Sequence, residues 1–506
     1  MHSPAEDLYH LIHALSANEK RYFRLFAQRH GNEKDKLYMK VFDLIMAQED
    51  GYDEEIVKKK LKTAAAIKQL PQTKNYLYDL IMQSMRLYRS DKNVATEVFN
   101  LIQDELFYTE KGLTQMRSKA LKKAKELAYE YDLIYCLVTI LQRERIYALK
   151  FSGGDPNETI RKLHAEEEWV FDRLNNESKL GEVFFTLWVQ FIKDPLMRSN
   201  EDLEQYTSSR DAVLNQKFED LHTFTEKFFW LRAKGLICKY NHDYQGTFQL
   251  TKQLVDLFSD YPQHRLNVMG NYIDALSNYL SAAHVVGNYD EFEEVIAKLE
   301  ELPREAVKDD NSISQVVINN KILYAMNRGM YSRSGMLAEE FENYCRKFEN
   351  IITESFLVVT PYNLSLMFFI NGEYDRSLDY CQRVMQFKTD VKIELQHGAS
   401  MLYLIILIEQ EQLVFFESAY RSVVRSMKNR GKFDDFERLF TTQLKKIANT
   451  PERQRKPLYG KLYEDLLMLK KESGNKRFVF MTETLSWCAS KTGDKKMAEL
   501  VLQPFN

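Results

Sequence analysis

Apolar residues recur three and four positions apart along almost the whole chain, the spacing that places them on one stripe of an α-helix. From Lys111 to Tyr131 the stripe runs Leu113, Met116, Ala120, Leu121, Ala124, Leu127, Ala128 and Tyr131, with Lys119, Lys122 and Lys123 off it. Asp132 then starts a second helix carrying Leu133, Ile134, Leu137, Val138 and Leu141, so this stretch predicts a helical hairpin. At the break Ser152-Gly153-Gly154-Asp155-Pro156-Asn157, an Asp cap, Pro at the first helical position and Glu158 three residues after the cap predict a further helix. The longest apolar run, Met401 to Ile408, has eight residues. That is far below the ~20 needed to span a bilayer, so it reads as a buried helix and no membrane partner is expected.

Residues 1–92 predict a separate N-terminal helical module. Ser16-Ala17-Asn18-Glu19 is a capping-box pattern ahead of Tyr22, Phe23 and Phe26. Asp53-Glu54-Glu55 opens a helix that Pro71 is expected to stop, and another follows from about Thr73 to Tyr88. This pair has the outline of a DNA-binding helix-turn-helix. However, Tyr76, Leu77, Leu80, Ile81, Met82, Met85, Leu87 and Tyr88 leave its second helix only a narrow polar strip, so core packing is the expectation. With 15 basic and 12 acidic residues over positions 1–90, charge does not favour a nucleic-acid face.

A turn recurs further on. His242-Asp243-Tyr244, Gly287-Asn288-Tyr289, Gly329-Met330-Tyr331 and Gly372-Glu373-Tyr374 each separate two apolar helical stretches, at spacings of 45, 42 and 43 residues. Repetition at this period predicts stacked helical hairpins, with Gly ending the first helix in the left-handed conformation and the aromatic packing back between the two. A fifth turn is expected near Gln412-Leu413, without the Gly or the aromatic.

Here the chain resembles tetratricopeptide-repeat proteins, most clearly from Leu364 to Leu378, where a first helix, the Gly372-Glu373-Tyr374 turn and the small residue Ser377 follow the family pattern. The small residue is Ser334 and Thr247 in two other copies and Phe292 in the remaining one; the first-helix Gly is matched by Gly235, with Leu280, Ile322 and Ser365 elsewhere. The period exceeds the family's usual ~34 residues. The resemblance therefore implies an all-α fold of stacked antiparallel hairpins, a divergent α-solenoid with long repeats over residues 220–410. It would be flanked by helical hairpins at 93–219 and 411–506, and would present a concave surface to a peptide or partner protein. Family members that grip a C-terminal carboxylate carry an Asn eight residues before the turn aromatic. Leu236, Ser281, Leu323 and Leu366 stand there, so that clamp is absent.

Composition agrees with an array. The 506 residues include 18 Gly and 10 Pro, about half the usual share of turn residues and too few for a sandwich or barrel. The net charge of −3 excludes a histone-like polycation. Cys136, Cys238, Cys345, Cys381 and Cys488 stand singly, predicting neither a disulfide framework nor a zinc knuckle. With no apolar export signal in Met-His-Ser-Pro-Ala-Glu-Asp, a cytoplasmic location is expected.

Catalytic signatures are missing. Gly431-Lys432 and Gly460-Lys461 are preceded five residues earlier by Ser426 and Arg455 where a phosphate-binding loop needs Gly, and there is no Gly-x-Ser-x-Gly or His-Glu-x-x-His. No enzyme activity and no cofactor are expected. His10 with His13, and His164 with Glu167 and Glu168, have metal-binding spacing but no further ligand, so solvated faces are expected. Phe228-Phe229-Trp230 and Phe184-Phe185 read as interhelix packing.

Charge is unevenly distributed. Residues 200–310 hold 20 acids and 11 bases, and residues 419–477 hold 16 bases and 7 acids. Lys445, Lys446, Arg453, Arg455, Lys456 and Lys461, flanked by Tyr459 and Tyr463, are the candidate contacts to an acidic protein or to phosphate. The expected function is a non-enzymatic interaction scaffold or regulator. The alternative is a nucleic-acid-associated regulator using the N-terminal module or this basic segment.

Overall fold

The structure, a computed structural model, describes residues 4–30, 37–48, 51–61, 63–89, 93–151, 155–193, 214–302, 310–348, 352–430, 433–473 and 478–502. Among the described residues there are helices and turns and no strand, so the fold is all-α. The chain divides into two compact units, Met1–Asn175 and Asn176–Asn506.

Unit 1 opens with α1 (Pro4–Ala14), α2 (Ala17–His30), α3 (Leu37–Met46), α4 (Glu54–Leu61) and α5 (Ala64–Arg89). Their apolar stripes close one core around Ile12, Phe23, Val41, Phe42, Ile45, Val57, Leu77 and Ile81. The capping box forms, with the Glu19 N–H donating to Ser16 Oγ (3.2 Å) and the Ser16 N–H to Glu19 Oε2 (3.0 Å). Pro71 does not end a helix, contrary to expectation: it lies inside the 26-residue α5. Its missing N–H removes one helical hydrogen bond, but Leu70 before it and Leu77, Leu80 and Ile81 after it are buried on the same core, and their burial holds the helix through the defect. With no turn at Pro71, the helix-turn-helix outline is lost as well.

Three helices follow: α6 (Val94–Glu110), α7 (Thr114–Glu130) and α8 (Ile134–Phe151). They pack on one another around Val98, Ala124, Ala128, Leu137 and Ile140. The 38-residue α9 (Pro156–Lys193), which belongs to unit 2 from Asn176 onward, starts at the expected proline, with Asp155 Oδ1 accepting from the Asn157 N–H (3.0 Å).

In unit 2 the helices follow as α10 (Phe224–Tyr240), α11 (Tyr244–Asp260), α12 (His264–Asn267), α13 (Met269–Val286), α14 (Phe292–Glu300), α15 (Asp310–Asn327), α16 (Ser334–Lys347), α17 (Glu354–Ile370) and α18 (Tyr374–Met385). Next come α19 (Ile393–Glu409), α20 (Leu413–Asn429), α21 (Asp435–Ala448), α22 (Lys456–Glu472), α23 (Met481–Thr492) and α24 (Met497–Leu500). The main packing partners are near neighbours in sequence: α10 on α11, α11 on α13, α13 on α15, α15 on α17, α17 on α18 and α19, and α19 on α20 and α21.

The recurring turns have one backbone geometry. His242, Gly287, Gly329, Gly372 and Glu411 all take positive φ, from 52° to 82°. In each turn the next N–H donates to the carbonyl five residues back: Asp243 to Cys238 (2.8 Å), Asn288 to Ala283 (3.1 Å), Met330 to Ala325 (2.8 Å), Glu373 to Phe368 (2.9 Å) and Gln412 to Leu407 (2.8 Å). This is the Schellman helix end. The fifth turn, which lacks Gly and aromatic, is therefore present and uses Glu411. Gly112 and Asp132 end α6 and α7 in the same way. After the turn, Ser377 is fully buried and donates to the Ser365 carbonyl (2.7 Å), linking α18 to α17 at close range. At the divergent position Phe292 stacks on Tyr324 instead (centroids 4.5 Å apart, 11°).

Replacing Gly372 tests the turn in isolation, because a Cβ there meets nothing within 4 Å and only backbone conformation is at stake. Gly372→Val is expected to cost about 1–2 kcal/mol, and Gly372→Asn distinctly less, since Asn tolerates the left-handed region. Equal urea-unfolding midpoints for the two variants would refute the assignment.

Candidate functional site

The basic C-terminal residues do not act as one set. Arg455 is buried: its Nη1 and Nη2 donate to the Glu411 carboxylate (2.5 and 3.3 Å) and its Nε to the Thr450 carbonyl (2.8 Å). It ties the fifth turn to the start of α22. Lys445 is half-buried, 3.3 Å from Glu417 and 5.0 Å over the Tyr420 ring. Lys446, Arg453, Lys456 and Lys461 are exposed. Tyr459 is buried edge-on against Trp487 (5.1 Å) and offers no ring face for stacking a base, while Tyr463 is half-buried on the same core.

Two helices of unit 2 are buried over most of their surface. In α17 every residue from Thr360 to Ile370 is buried, and in α19 Met401, Leu402 and Leu404 to Ile408 are buried. A helix buried around its whole circumference presents no open face. What lies against it includes the chain's own C-terminal segment. Trp487 Nε1 (2.8 Å) and Lys491 Nζ (2.6 Å) both donate to Glu409, which also accepts from Tyr374 Oη (3.1 Å). Burial raises the Glu483 carboxyl pKa, and its charge bears on Tyr331 and Tyr362. Met497, Ala498 and Val501 pack on the core of α15 to α18. The open concave surface expected over residues 220–410 is thus not available at α17 and α19.

An open cavity of about 210 Å³ is lined by α10, α11, α13 and the end of α9. Helical spacing on α10 puts Arg232, Gly235, Leu236 and Lys239 along one face. The Arg232 guanidinium sits 4.8, 5.5 and 5.8 Å from the ring centres of Phe184, Phe228 and Trp188, with Asp274 at 3.9 Å. Lys239 Nζ lies 4.2 Å from the Phe191 ring centre, and among the described residues no carboxylate pairs with it. Burial lowers the pKa of both cations, and the like charge of Lys392 adds to the effect at Lys239. The aromatic clusters noted in the sequence, with Phe184 and Phe185 both against Phe229 (5.8 and 5.7 Å), thus do pack between helices and also help seat Arg232. Sequence reasoning passed over Arg232 and Lys239; their seven-residue spacing on an aromatic-rich helix was the signal available.

Most hydroxyl protons in this cavity are already used. Thr247 donates to the Asp243 carbonyl (2.8 Å), Thr251 to those of Thr247 and Phe248 (3.0 and 2.9 Å), and Ser281 to that of Ser277 (2.9 Å). Donors on the cavity wall include the two cations and the Asn278 amide, and Tyr244 Oη also lines it, 3.1 Å from His242 Nδ1.

The histidines singled out by spacing are engaged otherwise. His13 lies 3.3 Å from the Ile45 carbonyl and stacks on Tyr9 (4.3 Å), and His164 faces Glu167 and Glu168 at 3.9 and 3.5 Å. Among the described residues no cluster of His, Cys, Asp and Glu is arranged to hold a metal ion, and no helix is long and apolar enough to cross a membrane.

One buried and one half-buried histidine, His264 and His284, predict acid sensitivity. His264 stacks on Phe224 (4.1 Å, 4°), and His284 lies among Asn320, Asn327 and Tyr289 (3.2, 3.3 and 3.4 Å). Burial lowers each pKa to about 4 from 6.5. Between these values the unfolded chain binds a proton that the folded chain refuses, so stability falls as pH drops through the window. At pH 4.5 the expected loss is on the order of 2 kcal/mol per histidine. His264→Phe should flatten the slope of urea midpoint against pH relative to the parent; an unchanged slope would refute this. No family model, curated protein or solved structure matches the chain.

Proposed function

We propose that the chain is a divergent, tetratricopeptide-like α-solenoid acting as a non-enzymatic interaction scaffold or regulator. The carrying observation is the five-fold Schellman turn joined to near-neighbour packing, which is how an array built from one repeated unit holds together. Such an array binds through the faces its hairpins leave uncovered. The C-terminal segment against α17 and α19 directs a partner to the α10–α13 end, where the inner face carries the cavity and its two cations.

The test is capture of partners by the full chain from native lysate, with and without nuclease, followed by mass spectrometry. A stoichiometric protein that survives nuclease and competes with no salt-sensitive nucleic acid supports the scaffold reading. Capture of nucleic acid that weakens steeply with salt, and is lost when Lys446, Arg453, Lys456 and Lys461 become Ala, overturns it in favour of phosphate binding. Arg455 is left out of that variant because its removal would strip a buried Glu411 partner.

A further inference from the structure

We infer that the cavity between α10, α11 and α13 is a binding site for a small free carboxylic acid with an aromatic or branched aliphatic body. This goes beyond the interaction reading, which requires no small ligand.

Three observations lead there. The first is the donor set. With the threonine and serine protons spent on their own helices, the charged groups facing the space are Arg232 and Lys239, both cations, with the Asn278 amide beside them, so a guest that accepts hydrogen bonds and carries negative charge is favoured. Arg232 has one distant acidic neighbour, Asp274 at 3.9 Å, and Lys239 has an aromatic ring beneath it and a like charge nearby. A half-buried ammonium in that setting is stabilised by an anion from outside. The planar guanidinium is packed among three aromatic rings, so it loses little further freedom on pairing with a carboxylate.

The second observation is the rest of the lining. Trp188, Phe191 and the aliphatic side chains of α10, α11 and α13 supply an apolar wall, which suits a hydrocarbon body and gives a bare inorganic anion little to contact. The third is size. At about 210 Å³ the cavity is smaller than the ~300–1,000 Å³ of a drug-sized site, so it takes a compact molecule.

Gly235 provides a clean probe. It lines the cavity, and a Cβ built on it meets nothing within 4 Å, so a side chain can start from this position into the cavity space. Leu is also a better helix former than Gly, so Gly235→Leu should fold at least as well as the parent.

The experiment is titration of the full chain with phenylacetate, 3-phenylpropionate and isovalerate, each beside its neutral primary amide, by calorimetry and ligand-observed NMR. Saturable binding of at least one acid, at least tenfold tighter than its amide, is expected. Gly235→Leu and Lys239→Met should each weaken it tenfold or more, and Lys446→Ala should leave it unchanged. Equal binding of acid and amide, full binding in Gly235→Leu, or no saturable binding of any of the three acids would overturn the proposal. So would binding confined to a peptide ending in Phe with a free carboxylate, because the anion would then belong to a partner chain. A protein partner captured equally by the parent and by Gly235→Leu would leave the scaffold reading standing whichever way the titrations fall.

Discussion

Replacing Arg117 with methionine is expected to destabilise the α6–α8 hairpins by about 3–5 kcal/mol, the cost of leaving a buried charge without its partner. Arg117 on α7 is 4% exposed and donates from Nε to Glu105 Oε1 at 2.6 Å, while Glu105 on α6 is fully buried. The rest of Glu105's surroundings cannot make up the loss. Thr109 Oγ1 donates to the same Oε1 (3.0 Å), and Arg143 stays 3.7 Å from Oε2. The guanidinium also lies 5.1 Å from the Tyr147 ring centre, so packing is lost with the charge. The double variant Arg117→Met, Glu105→Met should recover most of the loss, since an apolar pair of similar volume removes the desolvation problem on both sides. Native-state hydrogen exchange of α6 and α7 amides in the full chain reads this loss locally. A single-variant loss under about 1 kcal/mol would show that water reaches Glu105.

Trp487→Ala is expected to have a comparable effect in unit 2, about 3–5 kcal/mol for emptying a fully packed aromatic site. The indole is 1% exposed, meets Tyr459 edge-on at 5.1 Å and donates to Glu409 at 2.8 Å. Its consequence is spatially specific. Glu409 is the point at which α18, α19 and α23 converge, through Tyr374, Glu409 itself, Trp487 and Lys491. Losing the indole should loosen Met481–Leu502 from the rest of unit 2 and raise hydrogen exchange along α17 and α19, whose burial depends on being covered. Trp487→Phe keeps most of the volume and drops the hydrogen bond, so it should cost about 1–2 kcal/mol. If Trp487→Ala leaves α17 and α19 as protected as before, the C-terminal segment does not shield them.

The parts of this molecule legible in the sequence are those set by local rules. The stripe Ala120, Leu121, Ala124 and Ala128 is buried as its spacing predicts, the Ser16 and Asp155 caps form, and Met401 to Ile408 lies in the core. Each of these signals is written within a few residues, because a helix bonds to itself and ends where a left-handed residue is tolerated. Glu411 shows the reach of that rule: its turn closes with the same bond as the Gly turns, at the cost of a positive φ in a side-chain-bearing residue.

What misled was chemistry whose partner lies far off in the chain. Arg455 looked like one more surface base in a basic run, and only the fold brings it to Glu411, 44 residues away. Tyr459 looked available for stacking, and Trp487 occupies its ring. Pro71 looked like a stop until the core on either side outweighed one missing hydrogen bond. The cavity on α10 depends on Trp188 and Phe191 approaching from α9 and on Asn278 from α13.

From sequence alone, this chain is committed to being all-helical, to ending its hairpins at recurring left-handed turns, and to an N-terminal group of helices with an apolar stripe of its own. Tertiary structure decided which faces stay open, which charges are spent inside, and that the C-terminal segment reaches α19 through Trp487 to Glu409 across 78 residues. The division has one physical cause. Backbone hydrogen bonding and periodic burial act between residues a turn apart, whereas exposure and charge pairing are settled by whichever distant side chain finally packs alongside.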